Sequence, residues 1–179
     1  MIKSFHNFVN ENLQEDLSYE DVSRLAELEL LTGDLLKIYN YVNSSDAYTL
    51  DLTDSKLTHL PKWLKIISGN LLLIGSNIEE IQSGLIINGG IYANTSKLKY
   101  INITQIGYAL NIDYSLVTKL PDNLTVNGYF SCEGIQFEKI PVGLSCVNLY
   151  IYGSNLCKFS DDELRKMFKI SSSITRYEA

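Results

Sequence analysis

The chemistry this chain could do is limited by its side chains: among 179 residues there are two histidines, His6 and His59, and three cysteines, Cys132, Cys146 and Cys157. Neither histidine has a second ligand at metal-binding spacing, and no Cys-x-x-Cys pair occurs. No glycine-rich phosphate loop and no nucleophile elbow is present. The remaining candidates are Asp51, Asp113 and Glu133, because paired carboxylates at a suitable separation can do acid–base work. Whether they meet depends on the elements that carry them.

Those elements repeat. Apolar anchors recur at Leu50, Leu71, Ile91, Leu110, Phe130 and Leu149, a spacing of about twenty residues. Seven residues after each comes Leu57, Ile78, Leu98, Val117, Phe137 or Leu156, and ten after comes Leu60, Ile81, Ile101, Leu120, Ile140 or Phe159. All three prolines, Pro61, Pro121 and Pro141, follow the last of these columns, where a missing amide costs little and a fixed φ sets the bend. A twenty-residue unit cannot bury its apolar face alone, so the pattern predicts a mainly β repeat solenoid of about six coils. The anchor and the residue two further on point inward, as in Leu50 and Leu52 or Leu110 and Ile112. Ser55, Ser76, Ser96, Ser115 and Ser154 form a hydroxyl ladder at the turn, broken by Ile135, and are expected to bond backbone groups of the neighbouring coil. A second apolar pair, Leu64 and Ile66, Leu85 and Ile87, Leu124 and Val126, Leu144 and Cys146, gives each coil two extended segments joined by a corner. Near Thr104 to Tyr108 the unit is short, and either Ile103 or Ile106 is the inward residue.

On this register Cys132 and Cys146 are inward positions, so the cysteines read as small buried hydrophobes in a reducing compartment. Asp51, Asp113 and Glu133 fall in different rows and partly on nonadjacent coils, which favours a solvated surface. No catalytic residue, metal site or cofactor is therefore expected.

The ends differ from the middle. Residues 1–47 carry nine acidic and three basic residues, the whole net charge of −6, while the remainder balances. Ile2, Phe5, Phe8 and Val9 keep helical spacing. Ser18 to Asp21 forms a capping box opening a helix over Val22, Leu25, Leu28 and Leu31, with Thr32-Gly33 as its stop. Leu35 to Val42 fits either a helix or a strand. Ser160 to Glu163 is a second capping box, with Leu164, Met167 and Phe168 on one face. The division is thus 1–47, an acidic, mostly helical cap or targeting segment; 48–159, the solenoid; and 160–179, a capping helix and a tail mobile from Ser171. Open terminal coils need such caps. No apolar run is long enough to span a membrane, and the N-terminus has no signal-peptide segment.

Leu50-Asp51-Leu52-Thr53-Asp54-Ser55-Lys56-Leu57-Thr58-His59-Leu60-Pro61 resembles a leucine-rich repeat with serine at the asparagine-ladder position. It departs from that family three residues before the strand, where Ser68, Asn88, Gly107 or Asn127 replaces the leucine. Leu120-Pro121-Asp122-Asn123-Leu124-Thr125-Val126-Asn127-Gly128 resembles the short leucine-rich-like repeats of bacteriophage and bacterial proteins. The likeness covers roughly residues 48 to 159 and leaves open a leucine-rich-repeat-like or β-helix-like coil. Met1 to Glu11 resembles the opening of proteins of T-even-like phages. In internal capsid proteins of such phages a similar segment targets the prohead and is cut after Leu/Ile-x-Glu, which Leu13-Gln14-Glu15 and Leu25-Ala26-Glu27 fit, as does Ile78-Glu79-Glu80.

The outward positions leave a surface. Leu72, Ile74 and Tyr92 adjoin on neighbouring coils, and Tyr150 with Tyr152 makes a second spot. These five residues are the expected partner-binding positions, since tyrosine buries much area at modest entropy cost; a terminal helix or a second copy of the chain is the other cover for them. Nucleic acid is disfavoured by the lack of a basic stripe. The expectation is a noncatalytic protein-interaction module. The phage resemblance implies an accessory protein acting in the host bacterial cytoplasm on a host or phage protein, in counter-defence or host takeover. Two alternatives stay open: an internal capsid protein of the virion interior with a processed N-terminus, and a carbohydrate-active β-solenoid enzyme.

Overall fold

A computed structural model describes residues 17–176, and over them the chain winds into a β-solenoid entered by helices, with a further helix inserted before its last strands. The strands are two or three residues long because each coil turns a corner as soon as one inward residue has been placed. The principal sheet holds β1 (Leu50–Asp51), β3 (Leu71–Leu72), β6 (Ile91–Tyr92), β9 (Leu110–Asn111), β11 (Tyr129–Ser131), β13 (Asn148–Tyr150) and β15 (Ile174–Thr175), in that order. All its pairings are parallel. Leu50, Leu71, Ile91, Leu110, Phe130 and Leu149 are successive register partners, so the sequence anchors stack one upon the next.

The coil has three sides rather than two. On the second side β2 (Ile66–Ile67) pairs with β5 (Ile86–Ile87), and β8 (Gln105–Ile106), β10 (Thr125–Val126), β12 (Ser145–Cys146) and β14 (Lys169–Ile170) form a further parallel sheet. On the third, β4 (Glu80–Ile81) pairs with β7 (Tyr100–Ile101), and His59 bridges to Glu80. The apolar columns fill one continuous core between these sides. Each fully buried leucine or isoleucine there contributes roughly 1.5–3 kcal/mol.

Two inward assignments change. Ile67, not Ile66, is the buried member of the first coil's second pair, and Ile66 is exposed. That coil is one residue longer, 21 from Leu50 to Leu71, and the extra residue flips the alternation. In the short unit Ile103 and Ile106 are both buried. The shortening falls instead at the corner between the third and second sides, so both apolar slots stay filled.

The turn out of the principal sheet is built on an unexpected column. Asp54, Gly75, Thr95, Tyr114, Gly134 and Gly153, four residues after each anchor, all have φ between +55° and +72°. The next residue closes a turn, with Ser55, Ser76, Ser96, Ser115, Ile135 and Ser154 donating their amides to the carbonyl three residues back. The ladder hydroxyls of Ser55, Ser96, Ser115 and Ser154 then accept the amides of Leu57, Leu98, Val117 and Leu156. They cap their own coil, because a serine at such a turn reaches the amide two residues on before any neighbour. The links between coils are made by backbone, as when Asn77 N donates to Ser55 O and Lys97 N to Ser76 O. Thr95 is β-branched and held at φ +57°, where L-residues are strained. Thr95→Gly is therefore expected to stabilise the fold by about 1 kcal/mol. A higher urea midpoint at unchanged slope would show it, and a midpoint lowered by the ordinary unfolded-state cost of glycine would mean that the column is not strained.

The helix α1 (Tyr19–Glu27) starts on the predicted Ser18–Asp21 capping box. It stops before Leu28, and Thr32 is the N-cap of α2 (Gly33–Asn43), so Thr32-Gly33 starts a helix rather than ending one. Leu35 to Val42 lies in α2 and is helical. Trp63 Nε1 donates to Leu17 O, and Tyr19 packs edge-on against Trp63, which seats α1 on the first coil. The first coil has no predecessor, and α2 replaces one. Asp34 Oδ2 accepts Ser55 Oγ at 2.7 Å and Lys56 N at 3.3 Å, while Tyr41 Oη accepts Ser68 N at 2.7 Å.

At the other end α3 (Asp161–Met167), on its Ser160–Glu163 box, is inserted within a coil. After it Phe168 and Ile170 are buried again, Ile170 pairs with Cys146, and Ile174 pairs with Leu149. The segment expected to be mobile from Ser171 thus closes the principal sheet. Arg165 donates to Ile170 O and Ser172 O, and Arg176 to Cys157 O, Phe159 O and Asp161. The segments Ile2–Val9, Met1–Glu11 and Leu13–Glu15 lie outside the described residues.

Candidate functional site

In each principal strand the anchor points inward, so its two neighbours point out. Across the coils these outward residues stand in rows. One row runs Asp51, Leu72, Tyr92, Asn111, Ser131, Tyr150, and every adjacent pair in it is a register partner. Leu72 and Tyr92 are thus neighbours, as expected, with Ile74 two residues along from Leu72. Leu72, Ile74, Tyr92 and Tyr150 are half-buried and Tyr152 is exposed.

The two aromatic spots are joined by residues the repeat pattern did not single out. Tyr129, just before the Phe130 anchor, meets Tyr150 edge-to-face at 5.9 Å and Tyr108 at 6.2 Å. Its hydroxyl also lies near that of Tyr92, whose ring lies over Gly90. Burial among these rings, with Tyr92, Tyr108 and Asp113 nearby, pushes the Tyr129 hydroxyl up to about 12. The row before the anchor carries the small Gly90 and Ala109 ahead of Tyr129, and that small-small-large order was the available signal.

Beside the rings stand two carboxylates. Asp113 and Glu133 each lie three residues after an anchor, Leu110 and Phe130, which are register partners, so the two occupy one row on adjacent coils. Asp113 Oδ1 accepts Ser131 Oγ and Glu133 N, both at 2.7 Å. Burial and the neighbouring Asp113 raise the Glu133 carboxyl above its ordinary value. Asp51 is remote from this pair, on the first coil, and its carboxylate is lowered by the Thr53 amide it accepts.

No family model, curated protein or solved structure matches the chain. The outer face must therefore be judged on its own geometry.

That geometry offers few reactive groups. Cys132 and Cys146 are buried, which pushes the Cys146 thiol up to about 12 and raises the Cys132 thiol well above its ordinary value, so neither is a ready nucleophile. Cys157 is exposed and its Sγ donates to Ile151 O. Among the described residues no group of three or more histidine, cysteine or carboxylate side chains converges on a metal position. None of their helices is long and apolar enough to cross a membrane. A notch of about 560 Å³ opens on the second side where the third coil lacks its corner, lined by Leu85, Ile86, Asn102, Gln105 and Asn127. It holds neutral amides and aliphatic side chains but no titratable group.

Proposed function

We propose that this chain is a noncatalytic interaction module whose principal-sheet outer face holds a protein partner. The carrying observation is the contiguous tyrosine array of Tyr92, Tyr108, Tyr129 and Tyr150, held on a parallel sheet whose every coil is pinned to the next. Tyrosines mounted on a rigid frame lose little entropy on binding and keep a polar tip, which makes them favourable contact residues. The N-terminal resemblance supports a setting in which a phage accessory protein acts in the host bacterial cytoplasm on a host or phage protein.

A pull-down from bacterial lysate with intact protein and a Tyr92→Ala/Tyr150→Ala variant, its fold checked by circular dichroism, tests the reading. Capture of a defined partner is expected to fall by about tenfold or more in the variant. Equal capture by a folded variant would remove the outer face as the working surface.

A further inference from the structure

The charge on the outer face is one-sided. No lysine or arginine stands at any outward position of the principal strands, from Thr49, Asp51 and Thr53 through Asn148, Tyr150 and Tyr152 to Ser173 and Thr175. The lysines lie elsewhere and several are already paired, Lys99 with Glu79, Lys119 with Glu138 and Lys139 with Asp122. Asp113 and Glu133 face out with no cation against either among the described residues. Their Cα atoms are separated by about one strand spacing, ~4.8 Å. Ser131 and the Glu133 amide both occupy Asp113 Oδ1, which orients that carboxylate and leaves Oδ2 for another donor.

Around this pair the register places tyrosines on several sides: Tyr150 beside Ser131, Tyr152 beyond Glu133 in the same row, Tyr129 two residues before Ser131, and Tyr92 one coil before Asn111. Tyr114, whose ring lies over Gly134, stands at the adjoining corner.

We propose that the partner presents an arginine-bearing cationic segment, its guanidinium seated between Asp113 and Glu133 and stacked on the adjoining tyrosine rings. This rests on the outer face being the binding surface and names the chemistry of what it binds. A guanidinium has a planar fork that can meet two carboxylates and a face that stacks on aromatic rings, and it is more weakly hydrated than an ammonium. A cation here also relieves the repulsion between the carboxylates, consistent with the raised Glu133 carboxyl. An anionic partner would meet a face with no positive charge to receive it.

The test is fluorescence anisotropy with the full chain and fluorescein-labelled hexa-arginine, hexa-lysine and hexa-glutamate peptides. Hexa-arginine is expected to bind at least about fivefold more tightly than hexa-lysine, with no binding of hexa-glutamate. Asp113→Asn/Glu133→Gln should weaken hexa-arginine by about tenfold or more. Glu27→Gln/Glu29→Gln makes the same change in net charge at the exposed end of α1 and should leave the affinity within about twofold.

Equal losses in the two double variants would reduce the effect to bulk charge and overturn the proposal, as would no binding of hexa-arginine. Sedimentation that reveals a dimer dissolved by Asp113→Asn/Glu133→Gln would also overturn it, since a second copy would then be the occupant. If the tyrosine double variant loses its captured protein while Asp113→Asn/Glu133→Gln retains it, the interaction surface stands and the arginine chemistry falls.

Discussion

Gly107→Ala is expected to destabilise the fold by about 3 kcal/mol or more, although the residue is neither in the core nor at a left-handed φ. Gly107 lies between the second and principal sides, and a Cβ there would be driven into the Asn88 backbone of the preceding coil. The coils are locked at that point. Gly107 N donates to Ile87 O at 3.1 Å and Tyr108 N to Gly89 O at 3.0 Å. Backbone cannot swing aside as a side chain can, so relief requires breaking one or both bonds, each worth about 1 kcal/mol, in addition to an overpacking cost of about 1–3 kcal/mol. Gly84→Ala is the matched comparison: its φ is +79°, yet nothing stands within 4 Å of the added carbon. That change should cost only about 1 kcal/mol, the conformational part alone. Urea midpoints for the two variants separate close stacking from backbone strain. A Gly107→Ala protein as stable as the parent would mean that the coils do not approach so closely.

The contrast explains what could be read from the sequence. The apolar columns were legible because solenoid stacking forces one residue type at one position in every coil, and six repetitions make the signal large. The left-handed column was not, since half its positions are Asp54, Thr95 and Tyr114, and only Gly75, Gly134 and Gly153 announce a positive φ. The third side was hidden for a related reason. A strand of two residues such as Glu80–Ile81 places one side chain inward, too few to show alternation.

The last principal strand escaped notice because α3 is inserted before it, which moves Ile174 to 25 residues after Leu149, beyond the repeat spacing. At the candidate site Leu72, Ile74, Tyr92, Tyr150 and Tyr152 were found by counting outward from each anchor. Tyr129 was missed because it precedes its anchor, and Tyr108 because it lies outside the strand. The adjacency of Asp113 and Glu133 followed from the same count, each three residues after its anchor, whereas the bonding of Asp113 to Ser131 and the Glu133 amide needed the folded chain.

The helical entry to the solenoid makes a further demand on one side chain. In later coils the amide after the ladder residue donates to the preceding coil's ladder carbonyl, as Asn77 does to Ser55 and Lys97 to Ser76. In the first coil the corresponding amide is that of Lys56, and Asp34 receives it together with the hydroxyl of Ser55, which is buried. Asp34→Ala therefore leaves the buried Ser55 hydroxyl without its acceptor and the exposed Lys56 amide to solvent, with an expected loss of about 1.5–3 kcal/mol, the range for a hydrogen bond to a charged group. The loss must also depend on pH. Burial acts to raise the Asp34 carboxyl, but the Ser55 hydroxyl, Lys37 and the Lys56 amide together hold it below its ordinary value. A carboxyl lowered by folding contributes stability that is fully present above its unfolded value, near about 3.9, and is lost as pH falls through the folded one. Asp51, Asp122, Glu138 and Glu163 are lowered as well, so acid destabilises the parent through several groups at once. The Asp34 share is isolated by the difference between parent and Asp34→Asn urea midpoints. That difference should be largest at about pH 7 and shrink as pH falls below the unfolded value of about 3.9 and on through the lowered folded one. A difference that stays constant with pH would show that Asp34 works by shape alone, and that its charge does not substitute for the missing coil.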